Sequence, residues 1–307
     1  MKNLIPDVSV VIPVFNGERF IKETIDSLIN VDSTVNIEII VVNDGSTDST
    51  QQILEQYADK IQYFYQENSG QSSAINFGLG KAKGRYCSIV NSDDPILDTQ
   101  IYKISSNILD SKEEVIATYP NWIIIDEKSS TIRNVDVADY SEMELVGKFN
   151  CIIGPGGVFR TNIGREVGGW DTSIKYIPDY DFWLKLSRFG IFEKIPKTLA
   201  AWRSHSDSIS VRSKNLKMAN ERISVIENFV NSHNLDKKMS NSALSYVYYS
   251  AAILSYFDPS INARHLFWKS LRKNPKIIFD KKLIATIYLI AYPYSRRILL
   301  LIKYKIN

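Results

Sequence analysis

Tyr86-Cys87-Ser88-Ile89-Val90-Asn91-Ser92-Asp93-Asp94 decides how the chain is read. A short apolar run preceded by Gly84 has the length of a buried strand, so the two acids emerge at its carboxyl end. In open α/β sheets that rim is where ligands sit. Adjacent carboxylates repel one another unless a cation or a set of hydrogen-bond donors offsets the charge. Oxygen ligands suit Mg²⁺ or Mn²⁺, cations often shared with substrate phosphates. A second reading stays open on these residues alone: a turn in which Asp93 and Asp94 cap the helix after Pro95.

The segments before this one repeat its form. Val8-Ser9-Val10-Val11-Ile12-Pro13-Val14-Phe15 is a nearly continuous β-branched run ended by Asn16-Gly17, and Ile21, Ile25, Leu28 and Ile29 then follow at helical spacing. Ile37 to Val42 is a second buried strand, followed by Asn43-Asp44-Gly45-Ser46-Thr47-Asp48. Asp48 and Gln51 have capping-box spacing, with Ile53, Leu54 and Tyr57 on the inward face of the helix. Ile61 to Tyr65 is a third strand and leads through Gln66 to Gln71 into a third helix. Four strand–helix alternations with short polar links predict a parallel sheet covered on both sides, with residues 16–18, 43–48, 66–71 and 91–94 on one rim. No Gly-x-Gly-x-x-Gly follows the first strand and no Gly-x4-Gly-Lys-Ser/Thr occurs, which argues against dinucleotide dehydrogenases and P-loop enzymes. A phosphate site without either loop needs another counter-charge, and a cation at the acid pair supplies one.

The second half reads as more antiparallel. A helix with Ile101, Ile104 and Ile108 leads to Val115–Tyr119 and Trp122–Ile125, then to a polar turn and Thr131–Val135. Gly154-Pro155-Gly156-Gly157 either lets a ligand approach the backbone or forms a plain turn. Gly168-Gly169-Trp170-Asp171 follows, and Pro178-Asp179-Tyr180-Asp181 opens a helix running through Phe182, Trp183, Leu186 and Phe189, with Asp181 as the better cap candidate.

With 307 residues and 44% hydrophobic content the chain can bury one large α/β core with a smaller appendage. Two cysteines form neither a disulfide framework nor a metal cluster and fit a reducing compartment, and the quickly polar start does not resemble a signal peptide. A cytoplasmic location is therefore expected. Net charge +3 conceals an asymmetry: residues 264–307 hold eleven Lys or Arg and one acid, Asp280, or +10, which leaves −7 for the rest.

Taken in order, Val10-Val11-Ile12-Pro13-Val14-Phe15-Asn16, Val42 to Asp48, Asp93-Asp94, Gly168 to Asp171, Asp179-Tyr180-Asp181-Phe182-Trp183-Leu184 and Trp202-Arg203-Ser204-His205 resemble a family 2 glycosyltransferase of the GT-A fold, of the bacterial polysaccharide or lipopolysaccharide type. The resemblance covers roughly residues 7–212. It implies a Rossmann-like, mostly parallel central sheet flanked by helices (1–213) with a C-terminal helical appendage (214–307). The implied activity is inverting transfer of a hexose or N-acetylhexosamine from a nucleoside diphosphate sugar, UDP first, to a glycan or lipid-linked glycan. A non-catalytic nucleotide-sugar-binding module is the alternative, favoured by Asn91-Ser92 where Asp-x-Asp-Asp is the commoner form.

Each role comes from that resemblance. Pro13 and Phe15 shape the base pocket, and Asp44 accepts the imide N–H of the base. Asn16, Glu18 and Gly70 line the donor site. Asp93 holds the ribose or its waters. Asp94 ligates Mn²⁺ or Mg²⁺, with His205 at the metal or diphosphate and Arg203 beside it. Asp179 is the base that takes the acceptor's proton, and Gly156, Gly157, Trp170, Asp171 and Trp183 form the acceptor and sugar pocket. For Asp44 a turn role, for Asp179 a cap, for the tryptophans a core role and for His205 a solvated surface remain open alternatives.

From Lys214 helical periods return, with stripes at Ala219, Ile223, Ile226 and Val230 and at Leu244, Val247, Ala251 and Leu254, broken at Asp258-Pro259 and Asn274-Pro275. The apolar segments 283–294 and 298–302 are too short and too charged to span a bilayer. Their alternation with Lys and Arg suits a helix in the headgroup region, so peripheral attachment to the anionic inner face of the cell membrane is expected. Packing on the domain, or on a second subunit in a homodimer, is the alternative. No nucleic-acid reading motif accompanies the basic charge.

Overall fold

The computed structural model describes residues 5–29, 35–205, 215–254 and 258–279. The chain forms two compact units, Met1–Ser141 with Cys151–Ser206, and Glu142–Asn150 with Asp207–Asn307. They do not meet at a single cut near residue 213, because Glu142–Asn150 groups with the second.

The first unit is built on an eight-stranded sheet. Strands β1 (Val8–Val14), β2 (Ile37–Asp44), β3 (Gln62–Gln66) and β4 (Tyr86–Ile89) lie in the order β3-β2-β1-β4 and are parallel. Every residue of β1 is buried, which is why it carries no polar alternation. Pro13 fits this central strand because Val11 C=O already accepts the last β4-side N–H, from Val90. Two residues on, Pro13 faces the same side, where β4 has ended and no ladder bond is lost.

Beyond β4 the sheet becomes mixed. β7 (Val158–Arg160) runs antiparallel to both β4 and β5 (Val115–Ile125), β6 (Thr131–Val135) is antiparallel to β5, and β8 (Ile191–Arg203) is parallel to β5. The two runs expected around Pro120 are one strand: register shifts against β8 at Pro120 and Asn121 absorb the missing N–H. β1 to β5 and β8 therefore share a direction, and their carboxyl ends form one rim.

Helices α1 (Ile21–Ile29), α2 (Thr50–Glu55), α3 (Gln71–Lys81), α4 (Gln100–Ser111), α5 (Thr161–Glu166) and α6 (Pro178–Leu186) flank the sheet. Ile21, Thr24, Ile25 and Leu28 are the buried face of α1, as their spacing predicts. Gly78 lets α3 lie close on β1, since a Cβ there would stand 2.3 Å from Val11 Cγ1. The expected capping box at Asp48 does not form. Asp48 Oδ1 instead accepts Thr50 N–H at 3.0 Å, and Gln51 bonds Glu55. α6 stops at Leu186, so Phe189 lies beyond it and is exposed.

The second unit holds α7 (Leu216–Ser232), α8 (Lys237–Ile253), α9 (Ala263–Lys273) and a 3-10 turn Pro275–Phe279. Asn215, Asp236 and Asn262 cap the three helices, each accepting the N–H three residues on. Residues 143–147 are anchored in this unit by Ser242 Oγ, which donates to Gly147 O at 2.7 Å. The apolar segments 283–294 and 298–302 lie outside the described residues.

Candidate functional site

The rim receives the polar ends of six strands. Phe15 ends β1, Asp44 β2, Gln66 β3 and Asp126 β5, the acid turn 91–94 follows β4, and Arg203 to His205 end β8. Loops 16–18 and 46–50 are fastened together. Asn16 Oδ1 accepts Thr47 N–H at 2.8 Å, Glu18 Oε2 accepts Ser49 N–H at 2.9 Å, and Gly17 N–H reaches Thr50 Oγ1 at 2.8 Å. Asn16 and Glu18 thus hold the rim's shape, while Phe15 stands 49% exposed beside them and offers a free ring face.

Asp44 is 3% exposed and collects three donors. Oδ1 accepts Gln66 Nε2 at 2.7 Å and Ser69 N–H at 2.8 Å, and Oδ2 accepts Gly70 N–H at 2.9 Å. This ties β2 to the loop that opens α3, where Gly70 takes a φ of 91° that other residues avoid. One lone pair of Oδ2 remains for a ligand.

The two acids of the turn have different surroundings. Asp94 is 2% exposed, its Oδ1 accepts Arg203 N–H at 2.8 Å, and its Oδ2 accepts Asn91 Nδ2 at 2.9 Å. Burial and the neighbouring Asp93 charge push its carboxyl up to about 8. Asp94, expected from the sequence to ligate the metal, is here an internal brace of the turn, with both oxygens engaged by protein donors. Asp93 is the acid that reaches solvent, with Oδ2 at 2.8 Å from His205 Nε2. Phe20 packs against His205 at 5.4 Å between ring centroids.

Arg203, expected at the donor phosphates, is wholly buried. Its Nε donates to Asp93 O at 2.9 Å, Nη1 to Asp126 O and Ser129 Oγ at 3.0 Å each, and Nη2 to Glu23 Oε2 at 2.7 Å. The guanidinium thereby joins the acid turn to α1 and to the β5–β6 turn, and it has no face left for a ligand. Arg203→Leu should lower stability by about 3 kcal/mol or more, since several charge-assisted bonds are lost together. Glu23→Gln, which weakens one of them, should cost less than half as much. Equal urea midpoints for Arg203→Leu and the parent would contradict this role.

A cation at Asp93 and His205 fits the chemistry of the donor set, one carboxylate oxygen and one imidazole nitrogen. Among the described residues no group of three or more His, Cys, Asp or Glu side chains is placed to hold a metal. Further ligands would have to be diphosphate oxygens and water.

Asp179 occupies the second position of α6, with Pro178 at the first, and is exposed to solvent. Surrounding protein nevertheless desolvates the carboxyl, and this raises it above the ordinary value. The N-cap position is Ile177, and the Asp179 carboxylate accepts from the first-turn backbone N–H groups of Tyr180 and of Asp179 itself. Asp181 is not a cap: it pairs with Lys185 at 2.5 Å. Near Asp179, the surface residue Cys151 has its thiol pushed up, first by desolvation from the surrounding protein and then by the Asp179 charge. From Cys151 the chain runs to Gly154, packed on Trp122, whose ring meets Trp202 at 6.3 Å, one residue before Arg203.

The expected sugar pocket is not lined as the sequence suggested. Gly156 and Gly157 are buried, and a Cβ there would meet Ile101 Cδ1 and Ile153 Cγ2 at 2.8 Å each. Trp170 stacks on Phe182 at 3.7 Å and Trp183 packs edge-on to Phe159, both in the core. Asp171 is partly buried and ties its own turn through Ser173. Sequence reasoning put Gln66 and Asn91 on the rim without assigning them a role, and it missed Glu23 and Phe20 as parts of the site. Asn91 had a further signal, as the polar residue standing where an acid is more usual.

A mostly parallel sheet with an acid turn and a histidine on its carboxyl rim, and no glycine-rich phosphate loop, defines a GT-A-type scaffold. The model of glycosyl transferase family 2 matches residues 9–152. A protein of Haemophilus influenzae named as an uncharacterised glycosyltransferase is 32% identical over 222 residues, 67% of this chain and 68% of the relative. One of Rickettsia typhi is 39% identical over 191 residues, 60% of this chain and 59% of the relative. The chain belongs to glycosyl transferase family 2. It spans 59% of the length of that Rickettsia typhi relative and 43% of a longer Rickettsia felis one. In fold it is similar to Staphylococcus aureus TarS 1-349 in complex with UDP-GlcNAc (TM-score 0.68, 17% identity, 86% of this chain and 79% of that one). It is likewise similar to the mannosyltransferase PcManGT of Pyrobaculum calidifontis, solved with GDP-Man and Mn²⁺ (TM-score 0.60, 14% identity, 96% and 83%).

Proposed function

We propose that the chain transfers a sugar, with inversion, from a nucleoside diphosphate donor, UDP-sugar first, to a hydroxyl of a glycan or lipid-linked glycan. One observation carries the reading: six strands deliver to a single rim an exposed aromatic, a carboxylate with one free lone pair, and a partly buried acid–histidine pair. The base stacks on Phe15 and donates its imide N–H to Asp44 Oδ2. Asp93 and His205 hold Mn²⁺ or Mg²⁺, which when bound offsets the diphosphate charge. Asp179 accepts the proton of the acceptor hydroxyl as its oxygen bonds the anomeric carbon and the bond from that carbon to the diphosphate breaks. The raised carboxyl of Asp179 favours that proton transfer near neutral pH.

Among the described residues no helix is long and apolar enough to cross a membrane. A lipid-linked acceptor accords with peripheral attachment at the inner face, to which the basic C-terminal charge lends support.

The second reading, a binding module without chemistry, is favoured by Asn91 in the acid turn and by the internal role of Asp94. UDP release from UDP-sugars with Mn²⁺ separates the two. Slow hydrolysis without acceptor is the expected result, whereas saturable binding without any release would leave only the module. UDP at 100 times its dissociation constant should stabilise the protein by about 2.7 kcal/mol. Greater stabilisation by GDP or dTDP at equal concentration would overturn the base assignment.

A further inference from the structure

In the second unit, α9 carries a face with a chemistry of its own. His265, Trp268, Lys269 and Arg272, at helical spacing, line a groove of about 420 Å³ on its outer side. Trp268 is 61% exposed, although a tryptophan ordinarily buries its ring. The opposite side of the helix is fixed: Ser245 Oγ donates to Ser270 O at 2.9 Å, and Phe267 and Leu271 pack on the buried pair Tyr249 and Ile277. Lys269 Nζ rests 4.7 Å from the centroid of the Tyr248 ring, which orients it within the groove.

Charge identifies what the face would meet. Residues 259–279 contain five Lys or Arg and no acid, and neither Lys269 nor Arg272 makes an ion pair among the described residues. The remainder of the chain, 280–307, holds six basic residues and one acid, so its charge disfavours it as the cover of a basic groove. An exposed tryptophan flanked by cations is suited to a lipid–water boundary, where the ring sits at headgroup level and the cations meet phosphate. A nucleic-acid reading motif is absent from this helix.

We infer that the His265–Trp268–Lys269–Arg272 face of α9 is a docking surface for an anionic phospholipid bilayer, with Trp268 inserted at the interface and Lys269 and Arg272 on lipid phosphates. This holds whether or not the first unit transfers sugars. The test is flotation of the full chain with vesicles of phosphatidylcholine alone or with 30% phosphatidylglycerol added. Binding should require the anionic lipid and weaken at 1 M salt, where the Debye length is about 3 Å. Replacing Lys269 and Arg272 together by Gln should weaken binding about 25-fold, about fivefold for each charge. Trp268→Phe should abolish most of the fluorescence quenching produced by brominated lipid, which separates direct insertion from mere loss of charge. Melting of each variant without lipid identifies any that fail to fold, and Arg272→Gln alone then serves in place of the pair. Unchanged vesicle affinity in folded variants would overturn the inference and place membrane contact elsewhere in the chain. Equal binding to pure phosphatidylcholine, or a variant defect confined to a single-stranded RNA probe, would overturn it as well.

Discussion

Asp179→Asn should reduce kcat by about 10²- to 10⁴-fold while leaving the affinity for UDP nearly unchanged. The asparagine keeps the shape and the place at the start of α6, but it cannot accept the acceptor's proton. The asparagine oxygen can still accept the Tyr180 N–H, so melting temperature should move little. The pH dependence gives an independent signature. The base works only when deprotonated, and desolvation raises its carboxyl, so kcat/KM should fall as the medium is acidified through a point above the ordinary aspartate value of about 3.9. That acid limb should vanish from the residual activity of the variant. Near-parental turnover, or a variant retaining the same limb, would remove Asp179 from the chemistry.

The second large effect separates neighbours one residue apart. Asp93→Asn should abolish most Mn²⁺-dependent binding of UDP, read by calorimetry, with little change in melting temperature, because Asp93 is the partly exposed partner of His205. Asp94→Asn should act the other way. An amide there must turn its NH₂ toward Arg203 N–H or Asn91 Nδ2, so one accepted bond becomes a clash of donors in a site 2% exposed. A loss of about 1–3 kcal/mol in stability follows, with any weakening of Mn²⁺·UDP binding secondary to a displaced turn. If Asp94→Asn melts like the parent yet no longer binds Mn²⁺·UDP, the exchange of roles between the two acids is wrong.

That exchange shows where reading the chain in order stops. Two consecutive residues on an irregular turn point in directions that neither periodicity nor composition specifies. Only the end of β8, arriving from more than a hundred residues away, makes Asp94 the internal one by giving it the Arg203 N–H. Arg203 follows the same logic. Beside a histidine at the end of a strand it reads as a phosphate ligand, yet the approach of Glu23, Asp126 and Ser129 uses its whole fork within the protein. Glu23 and Ser129 had no sequence signal at all, since each becomes relevant only through a contact made across the fold.

What the sequence determined by itself is the layered scaffold and the family. Buried β-branched runs at β1 and β2 and a shorter apolar run at β4 alternate with helical spacing at α1 and α2, and such local periodicity implies parallel strands and one shared rim wherever the chain goes afterwards. The ordered motifs from Val10 to His205 named the family because they survive as letters, independent of geometry. Tertiary structure alone decided which motif residues face outward. Gly156, Gly157, Trp170 and Trp183 carry the right letters but are packed against Ile101, Ile153, Phe182 and Phe159. Aromatic rings and glycines serve a sugar pocket and a dense core equally well, and burial is set by elements distant in the chain, so no local pattern could choose between them.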